Sequence, residues 1–194
     1  MRVAIASQRN STKTSIYAVG KAVLHPGYAK IDKRTGLSVP NDIAMIMIKS
    51  RLSRSAPKVR IYGRYGLYPH ANLTLADWDL NGTIDVSCAR KSPKAFKCDL
   101  EWMDMKECQA LAFSSQPPHP TREMCARYSS CDLHKGDSGS PVLHRRTRDS
   151  VQIALFSRFA NDTRLDSDQK VGIFTLTATY RNWIKRTMRR NWRG

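Results

Sequence analysis

An all-β fold closed by one C-terminal helix is what this sequence predicts, and three observations carry the prediction. Short apolar runs recur, each bounded by polar, Gly- or Pro-bearing stretches; helical periodicity is scarce before residue 180; and from Tyr180 that periodicity appears and persists. In order, Asp42-Ile43-Ala44-Met45-Ile46-Met47-Ile48 reads as a buried strand between Pro40-Asn41 and Lys49-Ser50. Leu73-Thr74-Leu75-Ala76 is a second strand, with an Asn81-Gly82 turn signal after it. Val151–Phe156 and Val171–Leu176 read the same way. Tyr180, Trp183, Ile184, Thr187, Met188 and Asn191/Trp192 then fall at helical spacing, with a second face of Arg181, Lys185, Arg186, Arg189 and Arg190 and no acid.

With 194 residues, 41% hydrophobic and 25% charged, the chain has the composition of one good-sized domain or two half-domains sharing a core. No run of eighteen apolar residues occurs, so no spanning helix is expected, and the opening Met1–Gln8 is too short an apolar stretch for a secretory signal. The balance of 33 Lys+Arg against 16 Asp+Glu leaves +17. Besides the terminal helix, the cations cluster at Lys49, Arg51, Arg54, Lys58, Arg60 and Arg64, and at Arg145, Arg146 and Arg148. Such an excess favours a polyanion such as a heparin-like glycan. Sequence-specific nucleic-acid reading is not expected, because no zinc finger, helix-turn-helix or aromatic RNA motif accompanies the charge.

Five cysteines (Cys88, Cys98, Cys108, Cys125 and Cys131) leave at least one unpaired within the chain, and the absence of C-x-x-C argues against zinc; no metal or cofactor is implied. Asn10, Asn72, Asn81 and Asn161 each open an N-x-S/T glycosylation sequon, where about one is expected by chance. Cysteines and sequons together point to a secreted, oxidised, glycosylated protein.

The segment with chemistry in it is Gly136-Asp137-Ser138-Gly139-Ser140-Pro141. A serine between glycines, on a tight turn, lets a substrate carbonyl approach its hydroxyl, and backbone N–H groups in such a turn can meet a developing oxyanion. A bare G-x-S-x-G is more often a Gly/Ser loop that has no chemistry.

This motif does not stand alone. Gly-Asp-Ser-Gly followed by Pro141-Val142 resembles the nucleophile segment of the trypsin/chymotrypsin family of serine endopeptidases. Leu24-His25-Pro26-Gly27-Tyr28 and Asn41-Asp42-Ile43-Ala44 are similar to the family's approach to its catalytic aspartate, and Val171–Thr175 with Tyr180–Ile184 to its last strand and closing helix. The resemblance implies two Greek-key β-barrels, the first incomplete, and peptide-bond hydrolysis of protein or peptide substrates through an acyl-enzyme. Residues 1–55 would be the remnant of the first barrel, 56–70 a linker, 71–178 the second barrel and 179–194 the basic helix.

Carried over by residue, the resemblance makes Asp42 the triad acid and Ser138 the nucleophile. Gly136 and Ser138 would supply the oxyanion-hole N–H groups. Asp137 matches the acid that pairs with a newly cut N-terminal amine. Ser129, Ser157 and Gly172 would line the primary pocket, with Ser129 at its base arguing against Lys or Arg preference. Cys108–Cys125 matches a family disulfide.

The departures are equally specific. The family's Ala-Ala-His-Cys segment finds no counterpart, and none of His25, His70, His119, His134 and His144 fits the general base. His134, in an apparent insertion beside Ser138, is the nearest substitute. Loss of the imidazole from such a triad costs about a millionfold in kcat, so the chain as it stands is expected to be essentially inactive. Either it is a piece of a longer protease, or it is a degenerate, non-catalytic homologue that binds acidic partners. Survival of Ser138, Asp42, Gly136 and Asp137 favours the first. Arg158 and Phe159, where the family has Trp then Gly, favour the second, since Phe159 should plug the pocket. Leu73 and His144 replace both ends of a common bridge. Cys131 is expected to lack a partner, with Cys98 paired to Cys88 or to a segment further N-terminal.

Overall fold

The computed structural model describes residues 2–6, 14–28, 40–52, 58–61, 72–79, 94–111, 117–134, 136–145, 150–160 and 170–191. Strands β1 (Arg2–Ala6), β2 (Thr14–Leu24) and β3 (Ala44–Ile48) form an antiparallel sheet in that order. A two-residue strand β4 (Arg60–Ile61) then leads to β5 (Asn72–Asp79), β6 (Lys94–Trp102), helix α1 (Met105–Ala110), β7 (Glu123–Tyr128), β8 (Pro141–Arg145), β9 (Ser150–Phe159) and β10 (Lys170–Leu176). A 3₁₀ turn (Thr177–Tyr180) enters helix α2 (Arg181–Asn191).

Strands β10-β7-β6-β5-β8-β9 pair in that order, and β10 also pairs with β9, so six antiparallel strands close into a barrel. Closure removes the exposed strand edges that an open sheet leaves. Alternation along the strands fills the barrel with Leu73, Leu75, Leu100, Met124, Val142, Ile153, Phe156 and Phe174. The expected all-β architecture with a C-terminal helix is therefore present, as a closed barrel, a second sheet and α2. Among the described residues the second sheet is open. Leu24 and Ile46 are 59% and 52% exposed, and the pairs Leu24↔Ala44 and Ala22↔Ile46 put them on the same solvent face.

The structure differs from the sequence expectations in four places. The strand expected from Asp42 starts at Ala44, because the Ile43 N–H bonds back to the Asn41 carbonyl (2.8 Å) in a three-residue turn centred on Asp42. Helix α1 was not anticipated; it is six residues long and begins where the Asp104 carboxylate accepts from the Lys106 N–H (2.8 Å). The terminal helix opens with a 3₁₀ turn over residues 177–180. Fourth, Cys131 has a partner: it is disulfide-bonded to Cys98, alongside the anticipated Cys108–Cys125 bridge. The register explains the first pairing. Leu100 faces Tyr128 across β6 and β7, so continuing the antiparallel ladder brings Cys98 opposite the residues that follow β7.

Candidate active site

Asp42 is positioned by its neighbour. Asn41 is 4% exposed, and its side-chain oxygen accepts from the Tyr180 hydroxyl (3.3 Å) and from Arg122 Nη1 (3.1 Å) while its amide donates to the Gly27 carbonyl (3.3 Å). Gly27 is required there by space: a Cβ at that position would lie 2.8 Å from Asn41 Nδ2 and 3.2 Å from its Cγ. Burial pushes the Tyr180 phenol up to about 12, with the carboxylates of Glu123 and Asp42 adding to the shift and Arg122 opposing it, so the hydroxyl keeps its proton and remains a donor. Both Tyr180 and Trp183 press edge-on against the His25 ring. The Asp42 carboxylate itself is exposed, and its Oδ2 accepts from the Ser157 hydroxyl at 2.8 Å.

Ser138 sits in a loop held by short-range bonds. Gly136 and Gly139 adopt φ of +118° and +98°, which side chains of the L configuration rarely take. The Asp137 carboxylate accepts from the His134 N–H (2.7 Å), and the Asp137 and Ser140 N–H groups close turns onto the carbonyls of His134 (3.2 Å) and Asp137 (3.1 Å). On the barrel side, Gly139 N–H donates to the Phe156 carbonyl (2.7 Å), Phe156 N–H to the Ser140 carbonyl (2.9 Å), and the Ser140 hydroxyl to the Asp77 carboxylate. Asp137, the residue matched to an amine-pairing acid, thus has a backbone partner inside the insertion that follows Cys131.

These two halves meet at Ser157, near the end of β9. Its hydroxyl donates to Asp42 and its carbonyl accepts from the Ser138 hydroxyl (3.3 Å). The sequence placed Ser157 in a pocket wall; the structure puts it between the serine and the aspartate. No local signal distinguishes that role, because the Ser157–Asp42 contact links residues 115 positions apart.

The next two residues of β9 are also engaged. Arg158 makes a forked ion pair with both oxygens of Glu123, which is 2% exposed and also accepts from the His119 N–H (2.9 Å). Phe159 packs on the barrel core, its ring edge-on to Phe156 at 5.1 Å. It pairs in register with Gly172, where a Cβ would lie 2.8 Å from Phe174 and 3.3 Å from Phe156. Aromatic rings therefore occupy the space beside Gly172. Ser129, one residue past β7, is exposed and is not among the residues so joined.

Three of the four described histidines are committed to other contacts. His25 Nδ1 accepts from the Gly27 N–H (3.1 Å), His134 Nδ1 lies 3.1 Å from the Asp132 carbonyl, His119 Nδ1 faces Thr121, and His144 Nδ1 is buried without a partner. Among the described residues no histidine bonds to Ser138 or Asp42; His70 lies outside them. Of the sequons, Asn72 opens β5, while Asn10, Asn81 and Asn161 lie outside the described residues, as does Cys88.

A closed antiparallel barrel beside a second sheet, with a serine loop and an aspartate turn meeting across one strand, is the scaffold of a chymotrypsin-type hydrolase. The Trypsin family model matches residues 1–184, and the chain belongs to that family. No curated protein matches the chain. No helix among the described residues is long and apolar enough to cross a membrane.

Proposed function

We propose that this chain carries the nucleophile and the acid of a serine-type endopeptidase, Ser138 and Asp42, and that its general base is an imidazole the described histidines do not provide. The observation that carries the reading is the path Ser138–Ser157–Asp42, which brings two residues 96 positions apart in the sequence to one strand. In the reaction, the Ser138 oxygen attacks the scissile carbonyl while its proton passes to the imidazole; the protonated imidazole then releases the amine, and water hydrolyses the acyl-serine. The N–H groups of Gly136 and Ser138 are the proposed oxyanion donors, and Asp42 stabilises the imidazolium. Protein or peptide substrates follow from the family, and the two disulfides fit an extracellular, oxidising setting.

Fluorophosphonate labelling in the presence of added imidazole tests this. Phosphorus forms a bond to the Ser138 oxygen, fluoride leaves, and imidazole takes the proton. Imidazole-dependent label on Ser138, lost in Ser138→Ala and weakened in Asp42→Asn, is the expected result. Absence of label with imidazole present overturns it.

A second reading has its own support. The rings of Phe156, Phe159 and Phe174 around Gly172, and the commitment of Arg158 to Glu123, fit a non-catalytic homologue whose primary pocket takes no large side chain. Phe159→Gly separates the two: gain of label with a bulky peptidyl fluorophosphonate supports a plugged but competent site, and no gain supports the binding role.

A further inference from the structure

We propose that Arg122 is a positioning residue for the acid of the proposed hydrolase: acting through Asn41, it fixes the turn that aims Asp42 at Ser157. The inference rests on the reading of Ser138 and Asp42 given above. The Asp42 carboxylate is exposed, so water competes for its bond to the Ser157 hydroxyl, and a bond of that kind is too weak to hold a turn in place. Asn41, the residue before it, is buried and therefore sets where Asp42 stands. Its side-chain oxygen has two lone pairs and two donors, Arg122 Nη1 at 3.1 Å and the Tyr180 hydroxyl at 3.3 Å. The Pro40 carbonyl lies 3.4 Å from each of the same two donors. Of the pair only Arg122 is charged, and charge-assisted bonds are roughly twice as strong as neutral ones.

Arg122 is itself held firmly enough to serve as a fixed point. It lies in the turn before β7, where its N–H donates to the His119 carbonyl (3.2 Å) and its carbonyl accepts from the Leu176 N–H at the end of β10 (2.8 Å). The carbonyl of Thr121 accepts from the Thr179 hydroxyl (2.8 Å). The turn that carries Arg122 is thus strapped to the segment that carries Tyr180, and both donors reach Asn41 from the barrel side. Their target leads into the second sheet: Asn41 donates to the Gly27 carbonyl (3.3 Å), and the His25 N–H donates to the Ile43 carbonyl (3.0 Å). The carboxylate of Glu123 is engaged by Arg158 and the His119 N–H, while the Arg122 guanidinium is directed at Asn41 and Pro40. Its charge is felt at the end of β2 as well, where burial first and Arg122 second lower the pKa of His25. The Arg122–Asn41 contact joins residues 81 positions apart, so no local motif announces it.

The test combines imidazole-dependent fluorophosphonate labelling of Ser138 with magnetic-resonance titration of the His25 ring, on full chains carrying Arg122→Met or Arg122→Lys. Arg122→Met keeps the apolar stem and removes both donor and charge. It should raise the imidazole concentration for half-maximal labelling about tenfold, short of the roughly hundredfold that a 1 Å misplacement can cost, because Tyr180 still holds Asn41. The maximal rate should fall much less, since the Ser138 loop is untouched. Arg122→Lys keeps a charged donor and should restore most of the loss. In an Asp42→Asn background Arg122→Met should add nothing, because Arg122 acts through Asp42 alone. The His25 pKa should rise in Arg122→Met and not in Arg122→Lys, a readout that does not depend on labelling. Should Arg122→Met fail to fold, Arg122→Gln carries the same comparisons. An unchanged half-maximal imidazole concentration or His25 pKa in Arg122→Met, or a further loss in the Asp42→Asn background, overturns the proposal and leaves Ser138 as the nucleophile. Absence of label in the unaltered chain overturns the reading of Ser138 and Asp42 itself, and this proposal with it.

Discussion

Removing Arg158 should destabilise the protein far more than neutralising its partner. Glu123 is 2% exposed, so folding strips its carboxylate of nearly all water, and the compensating donors are the Arg158 fork and the His119 N–H. Arg158→Ala leaves that carboxylate with one backbone donor and no counter-charge. Breaking a buried pair in this way costs about 3–5 kcal/mol. The Arg158 side chain is 29% exposed, so water reaches part of the pair, and the lower end, about 3 kcal/mol, is expected. For a chain of this size that is a fall in Tm of roughly 6–12 °C. Glu123→Gln keeps an oxygen that can accept from both donors and leaves the surplus charge on the partly wet arginine, so it should cost only about 1 kcal/mol. The double variant Glu123→Gln/Arg158→Ala should recover most of what Arg158→Ala loses, a coupling that chemical unfolding of all four proteins measures directly. Equal losses from the two single variants, or strictly additive losses in the double, would refute a buried carboxylate held by its arginine.

Three further outcomes follow from the same structure. Burial, with help from the Arg122 charge, lowers the pKa of His25 from its ordinary 6.5, so the folded state favours the neutral ring that accepts from Gly27. The unfolded chain then binds the extra proton first: the contribution is complete above about pH 6.5 and is lost as pH falls below it. Urea midpoints should accordingly drop between pH 7 and pH 5, and drop less in His25→Gln; identical profiles would contradict the assignment. With Cys98–Cys131 and Cys108–Cys125 formed, a thiol reagent under denaturing, non-reducing conditions should modify one cysteine per chain, Cys88. Cys98→Ala with Cys131→Ala should cost roughly 3–4 kcal/mol, since the bridge closes a 33-residue separation; label on Cys98 or Cys131 in the unaltered chain would rule that bridge out.

How much of this could be read from the sequence depends on how local each feature is. The Ser138 loop was visible because its geometry is specified within a few residues: Gly136 and Gly139 take the positive φ, and Asp137 bonds three residues back. Three strands of the barrel, β5, β9 and β10, were visible as short apolar runs, whereas β6, β7 and β8 carry charged residues that break such a run. Helix α1 was not, because six residues are too few to show a period and its start rests on one capping carboxylate. The Cys98–Cys131 bridge was missed because spacing in the sequence does not report which strands lie side by side; only the β6–β7 register does.

The least readable feature is the one on which the proposed function turns. Ser157 has no motif around it, yet its hydroxyl holds Asp42 and its carbonyl receives Ser138. Because both contacts come from one residue of β9, any shift of that strand moves Ser138 and Asp42 together rather than separately. The residues that fix the strand just beyond it are the two that depart from the family pattern, Arg158 through Glu123 and Phe159 through Phe156. Under the proposed function these two residues act on substrate access and on strand rigidity at once. Relieving one without the other, by Phe159→Gly with the Arg158–Glu123 pair intact, is therefore the change that opens the space beside Gly172 while leaving Ser138 and Asp42 where Ser157 holds them.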